Sequence, residues 1–232
     1  MAPGWAPGSF LARLTPDQAA ELLQHGVRRR FEAGRTLLRE GDASAHVELL
    51  VRGFVKITNV IDGTEVLMGI RLPGDFVGEL AGLTGGRRIA TATACGRVVS
   101  SVVSRHDFHR FLARYPEASL RMAAVMGERL RWANERRGDF AFPPEVRLAR
   151  LLVEITRICG HSTPEGLSIG VALSQSELAT MIAVSEATLQ KVIRDLRGQG
   201  IIRTGYRSMT VLDLAALRTL GGGTDESVTL TA

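Results

Sequence analysis

The clearest structural pattern in the chain lies in residues 175–196, which read QSELATMIAVSEATLQKVIRDL. Ser174 stands three positions before Glu177, which is the spacing of a capping box that begins a helix. Ser185 can cap a second helix after a short turn that includes Ala183. Apolar residues recur at helical spacing on both sides of that turn: Leu178, Ile182, Val184, Leu189, Val192 and Leu196. The pattern predicts a helix-turn-helix, although alanine stands at the tight turn where glycine is usual.

The second predicted helix covers residues 186–197, and the residues that follow it predict a winged form of this motif. Two β-runs between 200 and 212 predict a hairpin, and Asp213 can cap a last short helix, 214–220. In a helix-turn-helix the second helix enters the DNA major groove, and basic side chains beside it can contact phosphates. The predicted DNA-binding residues are Ser174, Gln175, Ser185, Glu186, Ala187, Thr188, Gln190, Lys191, Arg194 and Arg207. The alternative is a basic face that meets only solvent.

The composition is that of a globular protein with an anionic partner. The 232 residues are 45% hydrophobic and 23% charged, and a formal charge of +5 leaves nucleic acid, nucleotide and acidic membrane open as partners. No apolar run reaches the ~20 residues of a membrane helix, and the first residues do not resemble a signal peptide. Cys95 and Cys159 stand 64 positions apart and form no metal-ligand spacing, which favours a reduced, cytoplasmic protein. Of the possible anionic partners, we expect DNA and not a membrane.

The chain divides into a β-rich half and a helical half. Between Phe31 and Val103, short β-runs alternate with glycine turns, and Asp62-Gly63 is typical of a hairpin turn. The predicted β-runs are 36–39, 47–51, 53–60, 65–70 and 97–103. The predicted short helices are 18–25, which Thr15 caps, and 145–159. A turn-rich connection, 160–166, follows the second of these helices. The predicted segments are a flexible arm (1–9), a β-barrel (10–109), a long helix (110–140), a winged helix-turn-helix domain (143–220) and a disordered tail (221–232). The predicted fold class is α+β.

Residues 110–137 predict one long helix, interrupted only near Tyr115-Pro116. Its apolar stripe is wider than contact with a single neighbour requires. The stripe consists of Leu120, Met122, Val125, Met126, Leu130, Trp132 and Ala133. We therefore predict that the helix is buried both against its own barrel and against a second subunit. The alternative is a helix that only its own domain covers.

Residues 74–91 read GDFVGELAGLTGGRRIAT. This stretch resembles the phosphate-binding cassette of cyclic-nucleotide-binding barrels, whose core is Gly-Glu-Leu followed about ten residues later by Arg and a small residue. With the barrel before it and the long helix and winged helix-turn-helix after it, the chain resembles transcription regulators of the cyclic AMP receptor protein (CRP/FNR) family over about residues 10–220. The resemblance implies a jelly-roll cyclic-nucleotide-binding barrel and a dimerisation helix.

The resemblance also implies an effector site. Arg88 matches the family's phosphate-binding arginine, and Glu79 matches the residue that accepts a hydrogen bond from the ribose 2′-hydroxyl. The predicted ligand-binding residues are Gly78, Glu79, Leu80, Arg88, Ile89, Ala90, Arg129 and Asn134. Ile89 replaces the usual Ser or Thr, and Ala133-Asn134 replaces the usual Thr followed by Ser or Asn. The effector is therefore cyclic AMP, another ligand such as a different nucleotide, or none.

Other chemistries lack the residues that they need. An iron–sulfur cluster requires about four thiolates, and the chain has two cysteines. His106 and His109 stand at i and i+3 without a third ligand, so we expect surface residues and no metal or haem. The sequence shows no nucleophile–base pair, and Gly82–Gly86 lacks the Gly-Lys-Ser/Thr ending of a phosphate-binding loop. We therefore expect that the protein is not an enzyme.

The predicted function is that of a homodimeric, sequence-specific DNA-binding regulator with a palindromic operator. Its barrel would sense a small effector and reposition the recognition helices. The resemblance also implies that the loop Ser162–Gly166 contacts RNA polymerase, with an ordinary turn as the alternative. Two other functions remain open: a nucleotide-sensing module whose winged domain chiefly binds protein, and an effector-independent regulator with a vestigial pocket.

The second helix predicts a different base preference from that of its relatives. In much of the family this helix begins Ser-Arg-Glu-Thr, whereas residues 185–188 read Ser-Glu-Ala-Thr here. Glu186 suits a cytosine amine, and Ala187 offers only a methyl group. Gln190 and Lys191 become the expected donors to guanine or adenine, so we expect an operator other than the common one.

Overall fold

The computed structural model describes residues 4–222. The chain forms two compact units, Met1–Ala133 and Asn134–Ala232, and the boundary between them falls inside a helix that covers residues 116–138. Residues 1–3 of the predicted arm and 223–232 of the predicted tail lie outside the described residues.

The first unit is the β-barrel that the sequence predicts. In chain order it contains α1 (Phe10–Arg13), α2 (Pro16–Gln24), β1 (Val27–Phe31), β2 (Thr36–Leu38), β3 (Val47–Arg52), β4 (Val55–Ile61), β5 (Thr64–Arg71), β6 (Phe76–Val77), α3 (Glu79–Thr84), β7 (Thr91–Ala94), β8 (Val98–Val103), α4 (Arg105–Arg114) and the part of α5 (Pro116–Gly138) up to Ala133. Its strands pair antiparallel in two sheets, ordered β1-β8-β3-β6 and β2-β7-β4-β5. The mixed fold with a jelly-roll barrel is confirmed.

The predicted β-runs of this unit correspond to β2, β3, β4, β5 and β8, and three strands of the unit, β1, β6 and β7, escaped prediction. Strand β1 reads Val-Arg-Arg-Arg-Phe at a sheet edge, and its first four residues are exposed, so it has no apolar alternation. Strand β6 has two residues, and β7 consists of Thr and Ala, which carry little hydrophobic signal. The hairpin turn between β4 and β5 is confirmed, with Asp62 at φ 49° and Gly63 at φ 79°.

The N-terminal helices pack against the barrel. Thr15 caps α2, as the sequence predicts, and it does so in a reciprocal capping box with Gln18. Phe10 of α1 lies edge to face with Phe76, and their ring centres are 5.1 Å apart.

The described part of the predicted flexible arm, residues 4–9, is packed rather than loose. Trp5 contacts the barrel core, and the backbone N–H of Ala6 donates to the carbonyl oxygen of Pro73 at 3.0 Å. The Pro/Gly-rich composition favoured a flexible arm, but packing of the partly buried Trp5 against the barrel core outweighs that tendency.

The long helix begins at Pro116 and ends at Gly138, rather than covering residues 110–140. The interruption expected near Tyr115-Pro116 is present, because proline disfavours helical geometry in the residue before it. One face of α5 enters the barrel core through Ala118, Met122 and Val125.

The second unit is a winged helix-turn-helix, as predicted. A 3₁₀ turn (Asp139–Ala141) is followed by α6 (Pro144–Cys159), β9 (His161–Thr163), β10 (Gly166–Ser168), α7 (Gln175–Met181), α8 (Glu186–Gly198), β11 (Ile202–Gly205), β12 (Ser208–Val211) and α9 (Leu214–Leu220). The strands form one sheet in the order β11-β12-β10-β9. Helix α6 supplies much of the core through Leu148, Leu151, Leu152 and Ile155.

Two local features of this unit differ from the predictions. The turn-rich connection, 160–166, forms most of a β9–β10 hairpin, because β10 also pairs with the distant strand β12. At the start of the predicted tail, Gly221 is held in place, since its carbonyl oxygen accepts a hydrogen bond from Arg150 Nε at 2.7 Å.

Candidate effector cleft and DNA-binding surface

The cassette requires glycine at position 78, because a side chain there would displace its neighbours. Gly78 links β6 to α3 at φ 81°. A Cβ at this position would lie 2.3 Å from Arg88 Nη1 and 2.7 Å from Leu38 Cδ1, which are distances of steric overlap. Glycine is therefore required both by its backbone conformation and by the side chains beside it.

Arg88 is buried in the cassette, with 3% of its surface exposed. Its guanidinium donates to Ser44 Oγ at 3.1 Å, to the Gly78 carbonyl at 2.8 Å and to the His46 carbonyl at 2.7 Å. Burial lowers the pKa of Arg88, and the carboxylates of Glu48, Glu79 and Asp42 oppose that shift. The acceptors that fix Arg88 lie mostly more than 40 positions away along the chain, so no local pattern indicates them.

Seven of the eight predicted ligand-binding residues line one cleft, which encloses about 490 Å³ of space that is partly open to solvent. They are Gly78, Glu79, Leu80, Arg88, Ile89, Ala90 and Arg129. We call this space the cassette cleft. Its apolar wall includes Leu38, Ile57 and Ala92. Asn134 belongs to the second compact unit, and its contact with a ligand stays a prediction.

Arg129 connects the long helix α5 to the cassette. Its Nη1 lies 3.2 Å from Glu79 Oε1, and its Nη2 lies 3.6 Å from Asp75 Oδ1. The same guanidinium donates to the Phe76 carbonyl at 3.0 Å and lies 4.4 Å from the centre of the Phe76 ring.

Ile89 departs from the family pattern without closing the cleft. Its side chain is 62% exposed, and its carbonyl oxygen accepts a hydrogen bond from Asn59 Nδ2 at 2.6 Å. This bond holds the backbone next to Ala90, where the family pattern places amide donors.

Arg71, which is not among the predicted ligand-binding residues, also lines the cassette cleft. The signal was available, because the same strand has Leu67 and Gly69 buried at the two preceding alternate positions. Alternation along β5 therefore directs Arg71 to the inner face. A charged residue at such a position is unusual and marks a candidate binding group.

On the DNA-binding surface, Ser185 and Thr188 begin the recognition helix α8. Ser185 Oγ accepts from the Thr188 backbone N–H at 3.2 Å and lies 2.9 Å from Thr188 Oγ1. One face of α8 is buried through Leu189, Val192, Ile193 and Leu196. The opposite face exposes the predicted readers, which are Glu186, Ala187, Gln190, Lys191 and Arg194.

The turn between α7 and α8 has the strained geometry that its alanine suggested. Ala183 has φ 50°. Arg147 of α6 supports the turn, since its Nη1 donates to the Ile182 carbonyl oxygen at 2.7 Å. No local sequence pattern indicates this role of Arg147, because it depends on a contact 35 positions away.

The remaining predicted DNA contacts are divided between capping and exposed positions. Ser174 forms the predicted capping box with Glu177, so its hydroxyl helps to begin α7, and Gln175 beside it is exposed. At the wing, Tyr206 is 93% exposed, and the exposed Arg207 adopts φ 50°. Ser174, Gln175 and Arg207 stay predicted DNA contacts.

Membrane spans and metal-binding clusters are both absent from residues 4–222. No helix there is both long and apolar enough to cross a lipid bilayer. No group of three or more His, Cys, Asp or Glu residues in that range could hold a metal ion. His109 hydrogen-bonds instead, with Nε2 2.8 Å from the Gly82 carbonyl oxygen.

Comparison with known protein families matches both units. Residues 28–115 match the cyclic nucleotide-binding domain, and residues 146–220 match the Crp-like helix-turn-helix domain. The chain belongs to the CRP/FNR family of transcription regulators, which combines a cyclic-nucleotide-binding domain with a DNA-binding helix-turn-helix.

Individual relatives cover most of the chain. A CRP-like cAMP-activated global transcriptional regulator of Mycobacterium tuberculosis is 29% identical over 185 residues, 79% of this chain and 83% of the relative. The cyclic AMP receptor protein of Thermus thermophilus is 26% identical over 212 residues, 90% of this chain and 95% of the relative. A CRP-family transcriptional regulator of known structure, also from Thermus thermophilus, is similar with a TM-score of 0.72 and 28% identity, covering 86% of this chain and all of that one.

Proposed function

We propose that this transcription regulator is a homodimer that binds a palindromic DNA operator and whose DNA affinity responds to a nucleotide in the cassette cleft. The observation that carries the proposal is the cleft itself, where Arg88, Glu79 and Arg129 stand together with the backbone of Ile89 and Ala90. These are the groups that a ribose cyclic phosphate needs, namely guanidinium and amide donors for the phosphate and a carboxylate for a hydroxyl.

The exposed face of α5 supports the homodimer. Leu120 and Leu130 are 73% and 64% exposed, although the opposite face of this helix is in the barrel core. Leu120, Ala123, Gly127 and Leu130 follow the alternating three- and four-residue spacing of a coiled-coil seam, and the small residues between the leucines allow two helices to approach closely. Asn134 continues this spacing, where a polar residue can fix the register of a pair.

Oligomeric state tests this part directly. We expect light scattering to give a dimer for the full chain at micromolar concentration and a monomer for Leu120→Glu combined with Leu130→Glu. Val27→Glu is the matched control, because Val27 is 71% exposed but lies on the edge strand β1. A monomeric parent protein, or a control that dissociates equally, would contradict the proposed seam.

Effector binding is tested by thermal shift with cyclic AMP, cyclic GMP and cyclic dinucleotides. A ligand at ~100 times its Kd should stabilise the protein by about 2.7 kcal/mol. Arg88→Ala should abolish that shift, because the phosphate would lose its guanidinium. Since Arg88 already has three acceptors in the protein, an effector-independent regulator is the second candidate, and the absence of any Arg88-dependent shift would favour it.

DNA binding is tested by selection from random duplexes. A regulator with the proposed function should select a palindrome and lose affinity steeply with salt, whereas a winged domain that chiefly binds protein would select no sequence. DNA as the partner favours a cytoplasmic location, and we expect no turnover of bound nucleotide.

We also propose the β9–β10 loop, within Ser162–Gly166, as the contact for RNA polymerase. Substitution there should reduce activation without changing DNA affinity.

A further inference from the structure

The inner face of the sheet β2-β7-β4-β5 continues the cassette cleft away from the cassette. Ala92 of β7, Ile57 of β4 and Gly69 of β5 are cross-strand neighbours on this face. Arg71 follows Gly69 by two positions on β5, so it lies on the same face, and its side chain lines the cleft. Its backbone is fixed by pairing with Val55 of β4. A guanidinium thus lies beside an apolar floor, on a strand that is held in the sheet.

The polar groups of the cleft lead from the cassette towards the long helix α5. Arg88 Nη1 donates to the Gly78 carbonyl oxygen at 2.8 Å, and the next residue along the chain, Glu79, forms its ion pair with Arg129 of α5. In the proposed function Arg88 binds the phosphate of the effector and Glu79 accepts from the ribose hydroxyl. The base of such a ligand lies on the far side of the ribose, which is the side of α5.

Arg71 lies at this α5 side of the cleft. A Cβ at Gly69 would be 3.2 Å from Arg71 Nη1 and 3.8 Å from the ring of Trp132, which is one helical turn after Arg129 on α5. Because Gly69 has no side chain, the space between the guanidinium and the floor of the sheet stays open. Arg71 is therefore placed where the base of a nucleotide would meet it, and not the phosphate.

The donors of Arg71 are largely unused by the protein. The carboxylates of Asp75 and Glu79 form their ion pairs with Arg129. In the part of the chain that the structure describes, the Arg71 side chain makes one hydrogen bond, from Nη1 to the Ile70 carbonyl oxygen at 3.2 Å. A guanidinium has five N–H donors in a fixed planar fork, so most of them are left for a ligand.

A planar fork of donors distinguishes between the two purines. Guanine presents two adjacent acceptors, O6 and N7, to which an arginine can donate a pair of hydrogen bonds. Adenine presents N7 beside an amine, which is itself a donor and opposes the guanidinium. The apolar floor formed by Ile57 and Ala92 suits the flat face of either base, so the choice between them falls to Arg71.

We propose that Arg71 selects the base of the effector, and that the effector is a cyclic mononucleotide whose purine carries a carbonyl group at C6. Arg71 donates to O6 and N7 of that base, while Arg88 binds the phosphate and Glu79 accepts from the ribose hydroxyl. This inference rests on the proposed effector function of the cassette cleft and specifies the class of base. Two bases share the chemistry, guanine and hypoxanthine.

Calorimetric titration of the full-length protein with four cyclic mononucleotides of equal charge tests the proposal. The probes are cyclic GMP, cyclic IMP, cyclic AMP and 7-deaza-cyclic GMP. We expect cyclic GMP, cyclic IMP or both to bind about ten-fold or more tightly than cyclic AMP. Cyclic IMP lacks the 2-amine of guanine, so its comparison with cyclic GMP distinguishes the two bases. 7-deaza-cyclic GMP keeps O6 but lacks the N7 acceptor, so it should bind more weakly than cyclic GMP.

Variants of Arg71 show whether this side chain is the cause. Arg71→Met should reduce the preference over cyclic AMP to less than about three-fold, and Arg71→Lys should retain part of it, because an ammonium lacks the planar fork. Arg87→Met is the matched control, since it removes the same charge beside Arg88. Arg87 is exposed, and its Nη1 donates to the Gly41 carbonyl oxygen at 2.7 Å. This control should leave the preference unchanged.

The outcomes distinguish this inference from the proposed function. Arg88-dependent binding in which cyclic AMP equals or exceeds both cyclic GMP and cyclic IMP would overturn selection by Arg71 and leave the effector cleft intact. A preference that survives Arg71→Met, or equal weakening of all four probes by that variant, would overturn it as well. The comparison of probes uses the parent protein, so it decides even if Arg71→Met does not fold. Failure of every probe to bind in an Arg88-dependent manner would overturn both.

Discussion

Arg129 of α5 and Glu79 of α3 form an ion pair in the wall of the cassette cleft, with Nη1 and Oε1 3.2 Å apart. Both side chains are largely buried, at 17% and 15% exposure. An effector that uses the Glu79 carboxylate must share it with Arg129 or displace it, and Arg129 lies on the long helix that carries the proposed dimer seam. We therefore propose this pair as a point within the first unit where ligand binding would be coupled to the position of the helix.

Arg129→Leu should destabilise the protein by about 2–4 kcal/mol, because it leaves the carboxylates of Glu79 and Asp75 without their cation. Urea unfolding at pH 7 measures the change. Arg131→Leu is the matched control, since Arg131 lies two positions away on the same helix and is exposed, and it should alter stability by less than about 0.5 kcal/mol. Equal effects of the two variants would show that the ion pairs of Arg129 contribute no more to stability than a surface arginine does.

Gly78→Ala should cost roughly 3 kcal/mol and should also dislodge Arg88. The new Cβ would overlap Arg88 Nη1, and the backbone at φ 81° is itself unfavourable for alanine. Gly63→Ala separates the two causes, because Gly63 has φ 79° and its Cβ would meet nothing within 4 Å. That control should cost only about 1–2 kcal/mol. A Gly78→Ala cost no larger than the control, measured by denaturant unfolding, would mean that Arg88 moves aside freely.

The sequence predicted those parts of the site that depend on short-range signals. The helix-turn-helix was found because Ser174 and Ser185 each cap a helix whose donor lies three residues away. The cassette was found because its residues fall within one short motif. In both places the functional residues are close to one another in the sequence, so a single sequence is sufficient to identify them.

The parts that the sequence did not predict depend on long-range pairing. Strand β1 exists because it pairs with β8, about 70 positions later, and not because of its own pattern. Arg88 lines the cleft, but its anchors Ser44 and His46 belong to a different part of the chain. Arg71 belongs to no sequence motif, and its inward direction follows only from its place in the alternation of strand β5.

Ala183→Gly should stabilise the protein by about 0.5–1 kcal/mol. Ala183 has φ 50°, which is unfavourable for a residue with a Cβ, and glycine removes that strain at some cost in chain entropy. Ala187→Gly, four positions later, is the control, because Ala187 is exposed and helical, and glycine there should destabilise by about 1 kcal/mol. In both thermal and urea unfolding, the two variants should therefore change the stability in opposite directions. The same sign for both would contradict the strain at the turn.

The base preference should follow the exposed face of α8 rather than the family's common pattern. Ser185 and Thr188 are retained and hydrogen-bond each other, so docking on phosphates should be preserved. Selection from random DNA should yield a palindrome whose half-sites lie about one helical turn (~34 Å) apart. Recovery of the usual family operator as the preferred site would refute the predicted readout by Glu186 and Ala187.

Glu186→Arg should change the preferred base at one position in each half-site, because a carboxylate accepts from the cytosine amine whereas a guanidinium donates to guanine O6 and N7. The expected discrimination is about 1–3 kcal/mol, or roughly ten-fold or more in relative affinity. Asp195→Arg is the matched control, since it makes the same change of charge at an exposed position of the same helix. It should raise affinity for all sequences alike and steepen the salt dependence, because an added cation contacts phosphate without reading bases. If both variants select the same bases as the parent protein, Glu186 does not contact the base edges and contributes only its charge.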